Sequence, residues 1–194
     1  MWRIIKPVSA LLAVFMISNS CKKEVTKADS EKDSVQINYI KKSAENSVSA
    51  EPLTYKKYSG AWFDIDYPSS FKAENSQKSE TNVNGYDSAT FSSPDGKVQF
   101  YIFSPQWSGV PEDIVLKSSE IQTDSSSKVE NGLEVKRWTI AAKDGSYFRS
   151  YESTSETKLN INKVFGIKYA SEKELDKYKE EYLHFKKSLE QFAD

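Results

Sequence analysis

Asp64 and Asp66 form the carboxylate pair best placed to do chemistry in this sequence. They lie in the alternating segment Ala61–Tyr67, so both side chains project from one face of a predicted strand, about 7 Å apart along the chain. Paired carboxylates can act as general acid and base or hold a hard cation. A calcium loop needs further oxygen ligands at fixed spacing, and none follows this pair. The simpler interpretation is the solvated face of an exposed strand.

Two tryptophans are the candidates for a binding surface. Trp62 shares the predicted strand face with the two aspartates, and Trp107 lies in the turn-rich segment 105–109. An exposed tryptophan beside polar groups is typical of protein-binding hot spots and of platforms that stack sugars. The alternative is that each tryptophan packs beneath a loop or a helix. Trp62, Trp107, Asp64 and Asp66 together make up the candidate ligand or partner face.

Several other kinds of site are excluded by composition. One cysteine and one histidine cannot build a metal site from several Cys or His ligands. The histidine, His184, falls beside the apolar stripe of the last predicted helix, where we expect a partly solvated residue rather than a catalytic base. The seven glycines form no phosphate-binding loop, and a net charge of −1 argues against nucleic acid. We therefore expect no metal, no cofactor and no nucleic-acid partner.

The N-terminal segment has the composition of an export signal. Arg3 and Lys6 precede the apolar run Val8–Ile17. A helix of that length spans about 15 Å, half of a hydrocarbon core, so the run predicts a secretory signal rather than a membrane-spanning helix. Small residues and then Cys21 follow, which resembles the bacterial lipoprotein signal, in which this cysteine is lipidated and becomes the mature N-terminus. The resemblance implies a signal peptide at 1–20 and a lipid anchor on Cys21.

The residues after Cys21 predict a tether. Lys22 stands where lipoproteins retained in the inner membrane usually carry Asp, so the resemblance implies the outer membrane, on its periplasmic side or at the cell surface. Eight of the thirteen residues at 22–34 are charged. Such a segment cannot bury enough apolar surface to offset its ordering entropy. We expect a flexible tether over 21–52, with a reach of roughly 30 Å, and one globular domain over 53–194.

Most elements of that domain are predicted to be strands. Ala61–Tyr67 is the first, and it stops at Pro68. Two hairpins are predicted because a turn signal with glycine separates their arms. The arms are Tyr86–Phe91 with Lys97–Ser104, and Leu133–Ala142 with Ser146–Thr154. A further strand, Ile161–Tyr169, contains Gly166, which indicates a bulge or a close approach by the last helix.

Helices are predicted in two places. A proline and two acidic residues open the segment Pro111–Ile121, which predicts a short helix, and a loop is expected at Ser125–Ser127. The clearest element is a long C-terminal amphipathic helix over 171–192, opened by a capping box of Ser171 and Glu174. Its apolar stripe recurs at steps of three and four residues, at Leu175, Tyr178, Tyr182, Phe185, Leu189 and Phe192. We expect the stripe to pack on the sheet.

Together these elements give an α+β domain with an antiparallel β-sheet of about six strands and helices on its faces. Four short segments resemble the PsbP/Mog1-like domains of photosystem accessory proteins, a nuclear-transport factor and many bacterial lipoproteins. They are Phe63–Pro68, Phe91–Gly96, Ser104–Trp107 and Lys187–Leu189. The resemblance implies an α/β/α sandwich over roughly residues 55–192. Because the fold hosts unrelated roles, it indicates no activity by itself.

Two functional hypotheses follow. The first is a non-enzymatic, membrane-anchored lipoprotein that acts as a binding or accessory module at the bacterial cell envelope. It would contact the membrane through its lipid anchor and bind an envelope protein or a glycan. The alternative is a hydrolase of envelope polymers that uses Asp64 and Asp66. That activity requires a cleft in which at least one carboxyl group is desolvated enough to raise its pKa.

Overall fold

The structure, a computed structural model, describes residues 53–107, 109–156, 158 and 161–192. The predictions for the signal peptide, Cys21 and the tether fall on residues outside these ranges. Within them, ten strands, two α-helices and one 3₁₀ turn follow one another. They are β1 (Tyr55–Ser59), β2 (Phe63–Pro68), β3 (Lys72–Asn75), β4 (Ser88–Ser92), β5 (Val98–Phe103), the 3₁₀ turn (Glu112–Ile114), β6 (Glu120–Glu130), β7 (Leu133–Ala142), β8 (Phe148–Glu156), β9 (Ile161–Tyr169), α1 (Glu172–Lys177), α2 (Lys179–Lys187) and β10 (Glu190–Gln191).

The strands form two antiparallel sheets. The large sheet has the order β3–β4–β5–β9–β8–β7–β6, and the small sheet has the order β1–β2–β10. The predicted strand at 61–67, both hairpins and the strand Ile161–Tyr169 are confirmed as β2, β4–β5, β7–β8 and β9. The expected number of six strands is too low. It misses β1, β3, β6 and β10, which are too short or too polar to stand out as strands in the sequence.

The main hydrophobic core lies on one face of the large sheet, here called the inner face. Phe100 of β5 and Ile167 of β9 pack there with Phe63 and Ile65 of β2 and Phe185 of α2. The rings of Phe100 and Phe185 have their centroids 5.3 Å apart. Each large apolar side chain contributes roughly 1.5–3 kcal/mol when fully buried, so this face holds the small sheet and α2 in place.

The opposite, outer face carries a smaller aromatic cluster. Tyr151 of β8 lies between Tyr101 of β5 and Trp138 of β7, with ring centroids 6.0 Å and 5.2 Å away. Ile114 of the 3₁₀ turn covers this cluster. Both α-helices of the described ranges pack at the inner face. The expectation of helices on both faces is therefore wrong there, since the 3₁₀ turn takes the place of a helix on the outer face.

The long C-terminal helix expected over 171–192 forms two short helices instead. Ser171 caps α1 by accepting a hydrogen bond from the backbone N–H of Glu174, as the capping box predicts. The helix is interrupted at Tyr178, which has φ −106° and ψ 13°, and α2 begins after it. Most of the apolar stripe nevertheless packs on the inner core, with Phe185 fully buried.

The second helix ends early because Ser188 is held by the small sheet. Its hydroxyl donates to the carbonyl of Phe185 (3.0 Å) and accepts from the backbone N–H of Asp66 (2.9 Å). Glu190 and Gln191 then pair with β2 as β10. The chain therefore ends its helix and continues as a strand of the small sheet. The hydrogen bonds that cause this join residues far apart in the sequence, so the local sequence pattern does not reveal them.

The structure shows neither the helix predicted over the segment Pro111–Ile121 nor the loop predicted for the segment Ser125–Ser127. The first contains only the 3₁₀ turn, and β6 begins at Glu120 and runs through the second. Asp113, one of the two acidic residues that favoured a helix, bonds instead to the large sheet, and so does Glu120 at the end of the segment. Asp113 contacts β5, and Glu120 contacts β8. These tertiary bonds override the local helix signal.

Gly166 of β9 marks a close approach on the outer face. A Cβ at this position would lie 2.5 Å from a ring carbon of Tyr151 and 3.2 Å from the Cβ of Tyr101. The approaching groups belong to the large sheet itself, so the predicted approach by the last helix is wrong. The glycine makes room for the aromatic cluster.

Candidate functional site

The outer face holds a buried ion pair between Arg149 of β8 and Glu120 of β6. Arg149 is 5% exposed and Glu120 is 3% exposed. The guanidinium group donates from Nη2 to Oε2 of the carboxylate. It also donates to the backbone carbonyls of Ile114 (2.9 Å) and Val115 (2.8 Å). The pair therefore fastens the chain after the 3₁₀ turn to the sheet.

Glu120 receives a hydrogen bond on each of its carboxylate oxygens. Oε1 accepts from the Tyr147 hydroxyl (2.7 Å), and Oε2 accepts from the backbone N–H of Lys117 (2.8 Å) as well as from Arg149. Burial alone would raise the pKa of Glu120, but these hydrogen bonds and the charge of Arg149 outweigh it and lower the pKa to about 2. Glu120 is thus an ionised and fully bonded carboxylate.

Asp113 of the 3₁₀ turn is the second carboxylate on this face. Its Oδ1 accepts from the Tyr101 hydroxyl (2.6 Å), and its Oδ2 accepts from the hydroxyls of Ser88 (2.7 Å) and Ser76. Burial, and then the negative charge of Asp113, raise the pKa of Tyr101 and keep its phenol protonated as a donor. A space of about 110 Å³ remains among these groups, here called the Arg149 cleft.

A second cavity lies on the other side of the 3₁₀ turn. Glu112 lines this cavity, whereas the next residue, Asp113, lines the Arg149 cleft. We call it the Trp107 cavity; its volume is about 170 Å³. Its aromatic wall is formed by Phe103 and by Trp107, which is 42% exposed. Exposed aromatic area beside a cavity is a feature of binding sites.

Three carboxylates line the Trp107 cavity, those of Glu80, Asp87 and Glu112. None of the described residues that line it is Lys, Arg or His. Glu80 and Glu112 are exposed, whereas Asp87 is 6% exposed. The cavity therefore has a negative charge and a hydrophobic wall, with one carboxylate deep in its lining.

The Asp87 carboxylate lacks a hydrogen bond on one oxygen. Its backbone is held firmly, since its N–H donates to the carbonyl of Gln77 (2.9 Å) and its carbonyl accepts from the N–H of Ser104 (2.8 Å). Its Oδ1 is buried and has no hydrogen-bond partner among the described residues. Burial is the main reason that the pKa of Asp87 is raised; the hydroxyl of Ser79 opposes the rise and the charge of Glu80 adds to it. A buried acceptor without a donor is unfavourable unless a ligand or solvent supplies one.

Trp62 is packed against the loop that lines this cavity. It is 8% exposed, and its indole N–H donates to the Thr81 hydroxyl at 2.8 Å. Thr81 lines the Trp107 cavity, next to Glu80. The structure therefore joins Trp62 to the lining of the Trp107 cavity through Thr81. It places the Trp62 side chain under a loop, which is one of the two arrangements that the sequence leaves open.

Asp64 and Asp66 lie together on β2, both half-buried. The Oδ2 of Asp66 is 3.7 Å from Nε2 of His184, whose ring stacks on another aromatic ring of the small sheet. Asp64 is paired in register with Glu190 of β10. Neither aspartate lines the Trp107 cavity or the Arg149 cleft. Of the candidate face, only Trp107 lines one of these two cavities, and Trp62 bonds to Thr81, another residue of that cavity's lining.

Sequence reasoning missed Asp87, Glu120 and Arg149. Arg149 carries a usable signal, because it is an isolated cation in a predicted strand flanked by aromatic residues. A charged residue in such a strand is buried only with a partner. Asp87 carries no such signal, since its burial depends on contacts with Gln77 and Ser104 that the sequence does not reveal.

The described ranges contain neither a metal-binding cluster nor a membrane-spanning helix. Within them, no three His, Cys, Asp or Glu side chains are grouped closely enough to hold a metal ion. No helix in the same ranges is both long and apolar enough to cross a membrane.

The chain was compared with known proteins. No family model matches it, and no curated protein matches it. Among solved structures, it is similar to the solution structure of cyanobacterial PsbP (CyanoP) from Synechocystis sp. PCC 6803, with 10% sequence identity and a TM-score of 0.44. The match covers 74% of this chain and 96% of that one.

Proposed function

We propose that this chain is a non-enzymatic binding or accessory module of the bacterial cell envelope, tethered to the outer membrane by a lipid on Cys21, and that its ligand site is the Trp107 cavity. The observation that carries the proposal is the lining of this cavity, which combines an exposed tryptophan with Asp87, a buried carboxylate that lacks a hydrogen bond on one oxygen. The tether predicted over 21–52 would hold the domain clear of the lipid surface.

Binding is better supported than catalysis by the surroundings of the carboxylates. In the Arg149 cleft, Glu120 and Asp113 are bonded to side chains of the large sheet, an arrangement that fixes the chain around the 3₁₀ turn. The hydrolase hypothesis requires Asp64 and Asp66 in one cleft. Asp66 lies against His184 instead, and no observation favours that activity.

The ligand class that we propose is an envelope protein or a glycan. Trp107 offers an aromatic face to either, and the carboxylates of Glu80 and Glu112 offer acceptors at the exposed part of the lining. Tryptophan residues with nearby polar groups commonly dominate the free energy of such contacts.

Site-specific photo-crosslinking in envelope membranes tests the proposal. A benzophenone side chain in place of Gln106, beside Trp107, is expected to crosslink an envelope component. The same group in place of Lys136, an exposed residue of β7, is the control and is expected not to do so. Trp107→Ala should reduce the crosslink by about tenfold or more. Cys21→Ser should release the protein from the membranes. Equal crosslinking from both positions, unaffected by Trp107→Ala, would contradict the proposed site.

A further inference from the structure

The lining of the Trp107 cavity is acidic and aromatic. Its lining contains three carboxylates and, among the described residues, no cation. The same lining includes two aromatic rings, those of Phe103 and Trp107. Carboxylates attract positive charge, and the face of an aromatic ring does so as well, most strongly in tryptophan. Both features of the cavity therefore favour a cationic ligand.

The Asp87 carboxylate favours a charged hydrogen-bond donor over a neutral one. Its Oδ1 needs a hydrogen-bond donor, and the residue is only 6% exposed. A neutral hydroxyl could fill the position of a donor. It would leave the negative charge of Asp87 uncompensated beside that of Glu80. A charged donor supplies the hydrogen bond and the compensating charge together.

The protein itself shows how a buried carboxylate is satisfied on this sheet. Glu120 is buried to a similar degree, and Arg149 donates to it while also donating to two carbonyls and a tyrosine hydroxyl. A guanidinium group suits such a place because it is planar, offers five N–H donors and is weakly hydrated. It also stacks on aromatic rings, which an ammonium group cannot do with a planar face.

We propose that the Trp107 cavity binds the guanidinium group of an arginine side chain on a protein partner. The arginine would stack on Trp107 and donate to the Asp87 carboxylate, with Glu80 and Glu112 beside the entering charge. Because Oδ1 is itself buried, the carboxylate must turn towards the cavity for this hydrogen bond to form. The volume of about 170 Å³ is more than ten times the roughly 10–15 Å³ that a cavity needs to hold one water, so there is room for a guanidinium group. Val110, which lines the cavity and is 69% exposed, offers apolar area to the rest of such a segment. The inference rests on the proposed ligand site and adds the chemistry of its ligand.

Titration with small probes tests the inference on the mature, full-length chain in detergent. The probes are N-acetylarginine N-methylamide, its neutral isostere N-acetylcitrulline N-methylamide, and N-acetyllysine N-methylamide. Binding is followed by the indole N–H resonance of Trp107, assigned with Trp107→Phe. We expect saturable shifts with an arginine affinity about tenfold higher than that of citrulline, and higher than that of lysine.

Substitutions of the lining carboxylates test whether the arginine probe binds in the Trp107 cavity. Glu80→Gln and Glu112→Gln change exposed residues, so both should leave the melting temperature unchanged and weaken the arginine probe about threefold each. Glu134→Gln, an exposed residue of β7, is the matched control and should change neither quantity. Asp87→Asn should reduce the arginine affinity more strongly. Its melting temperature is measured alongside, so that a loss of folding is recognised.

The outcomes separate the inference from the function on which it rests. Citrulline binding as tightly as arginine, or lysine binding more tightly, would overturn the guanidinium assignment. Arginine affinity that is unchanged in both glutamine variants would overturn the charge argument. If no probe shifts the Trp107 resonance while the Gln106 crosslink still depends on Trp107, the arginine inference is wrong and the proposed binding site stands. Loss of that dependence would contradict the proposed site itself.

Discussion

Glu120 and Asp87 line the two cavities that flank the 3₁₀ turn, and they are buried to a similar degree, at 3% and 6% exposure. Glu120 receives donors on both oxygens, whereas Oδ1 of Asp87 has none among the described residues. Their pKa values shift in opposite directions: that of Glu120 falls to about 2, and that of Asp87 rises. Burial alone therefore does not decide the state of a carboxylate. The hydrogen-bond donors around the carboxylate decide its state. Their presence marks the Arg149 cleft as structural, and their absence at one oxygen of Asp87 leaves the Trp107 cavity able to take a ligand.

Replacing Arg149 tests most directly whether Arg149 and Glu120 act as a buried ion pair. Arg149→Met leaves Glu120 buried without its cationic partner, so we expect a loss of about 3–5 kcal/mol in the free energy of unfolding. Urea denaturation of the full chain measures it. Arg137→Met is the matched control, because the Arg137 side chain is 39% exposed and pairs with the partly exposed Glu130 and Glu152.

The control should cost about 1 kcal/mol or less. A second comparison refines the result: Arg149→Met combined with Glu120→Gln should be less destabilising than Arg149→Met alone, because no charge is then left buried. Equal losses for the two arginine variants would mean that the Arg149 pair does not act as a buried ion pair.

Trp62 and Trp107 should also differ, the first in its effect on stability and the second in its effect on binding. Trp62 is 8% exposed and bonded to Thr81, so Trp62→Ala should cost about 3 kcal/mol of stability. Trp107 is 42% exposed, so Trp107→Ala should change stability by about 0.5 kcal/mol or less and act on binding. Thermal melts run beside the Gln106 crosslinking assay separate the two effects. A large loss of stability in Trp107→Ala would make Trp107 a packing residue.

The elements that could be predicted are those whose signals are local. Strict alternation predicts β2, and the glycines of two hairpin turns, Gly96 and Gly145, have the positive φ that such turns use (69° and 73°). The strand over Ile161–Tyr169 has the predicted bounds. In each case a few neighbouring residues carry enough information to choose the structure, so the sequence is sufficient.

Strand β6 was missed although a local signal for it exists. Its exposed, serine-rich middle, Ser125–Ser127, has the composition of a loop. The turn that follows it is Asn131–Gly132, with φ 52° and 81°, and Glu130 pairs directly with Leu133 across it. Asn-Gly is the strongest two-residue hairpin signal, and it identifies the strand that composition obscures.

The candidate site could be predicted only in part, for a different reason. Trp107 is recognisable because an aromatic residue in a turn-rich segment has no strand or helix to bury it. The burial of Asp87 depends on backbone hydrogen bonds to Gln77 and Ser104. The absence of the helix predicted over the segment Pro111–Ile121 depends on the hydrogen bond from Tyr101 to Asp113. These contacts join different elements, so no local pattern reports them.

Acid titration tests directly whether the charges of Glu120 and Asp87 have opposite effects on stability. The pKa of Glu120 is lowered from its ordinary 4.5 to about 2 in the folded state, so its ionised form stabilises the fold above about pH 4.5. That stabilisation is lost as the pH falls towards 2. The pKa of Asp87 is raised from 3.8, so its ionised form costs stability above the folded pKa. That cost shrinks as the pH falls below the folded pKa and is absent below about pH 3.8.

The two conservative variants should therefore deviate from the unsubstituted protein in opposite directions. At about pH 7, Glu120→Gln should be less stable, and Asp87→Asn should be equally stable or more stable. Both differences should shrink on acidification, the first between about pH 4.5 and 2 and the second as the pH approaches the ordinary pKa of Asp. Urea denaturation at a series of pH values, followed by tryptophan fluorescence, measures both. If Asp87→Asn is instead destabilised at neutral pH and recovers in acid, then Asp87 is bonded as Glu120 is, and the Trp107 cavity offers no unpaired acceptor to a ligand.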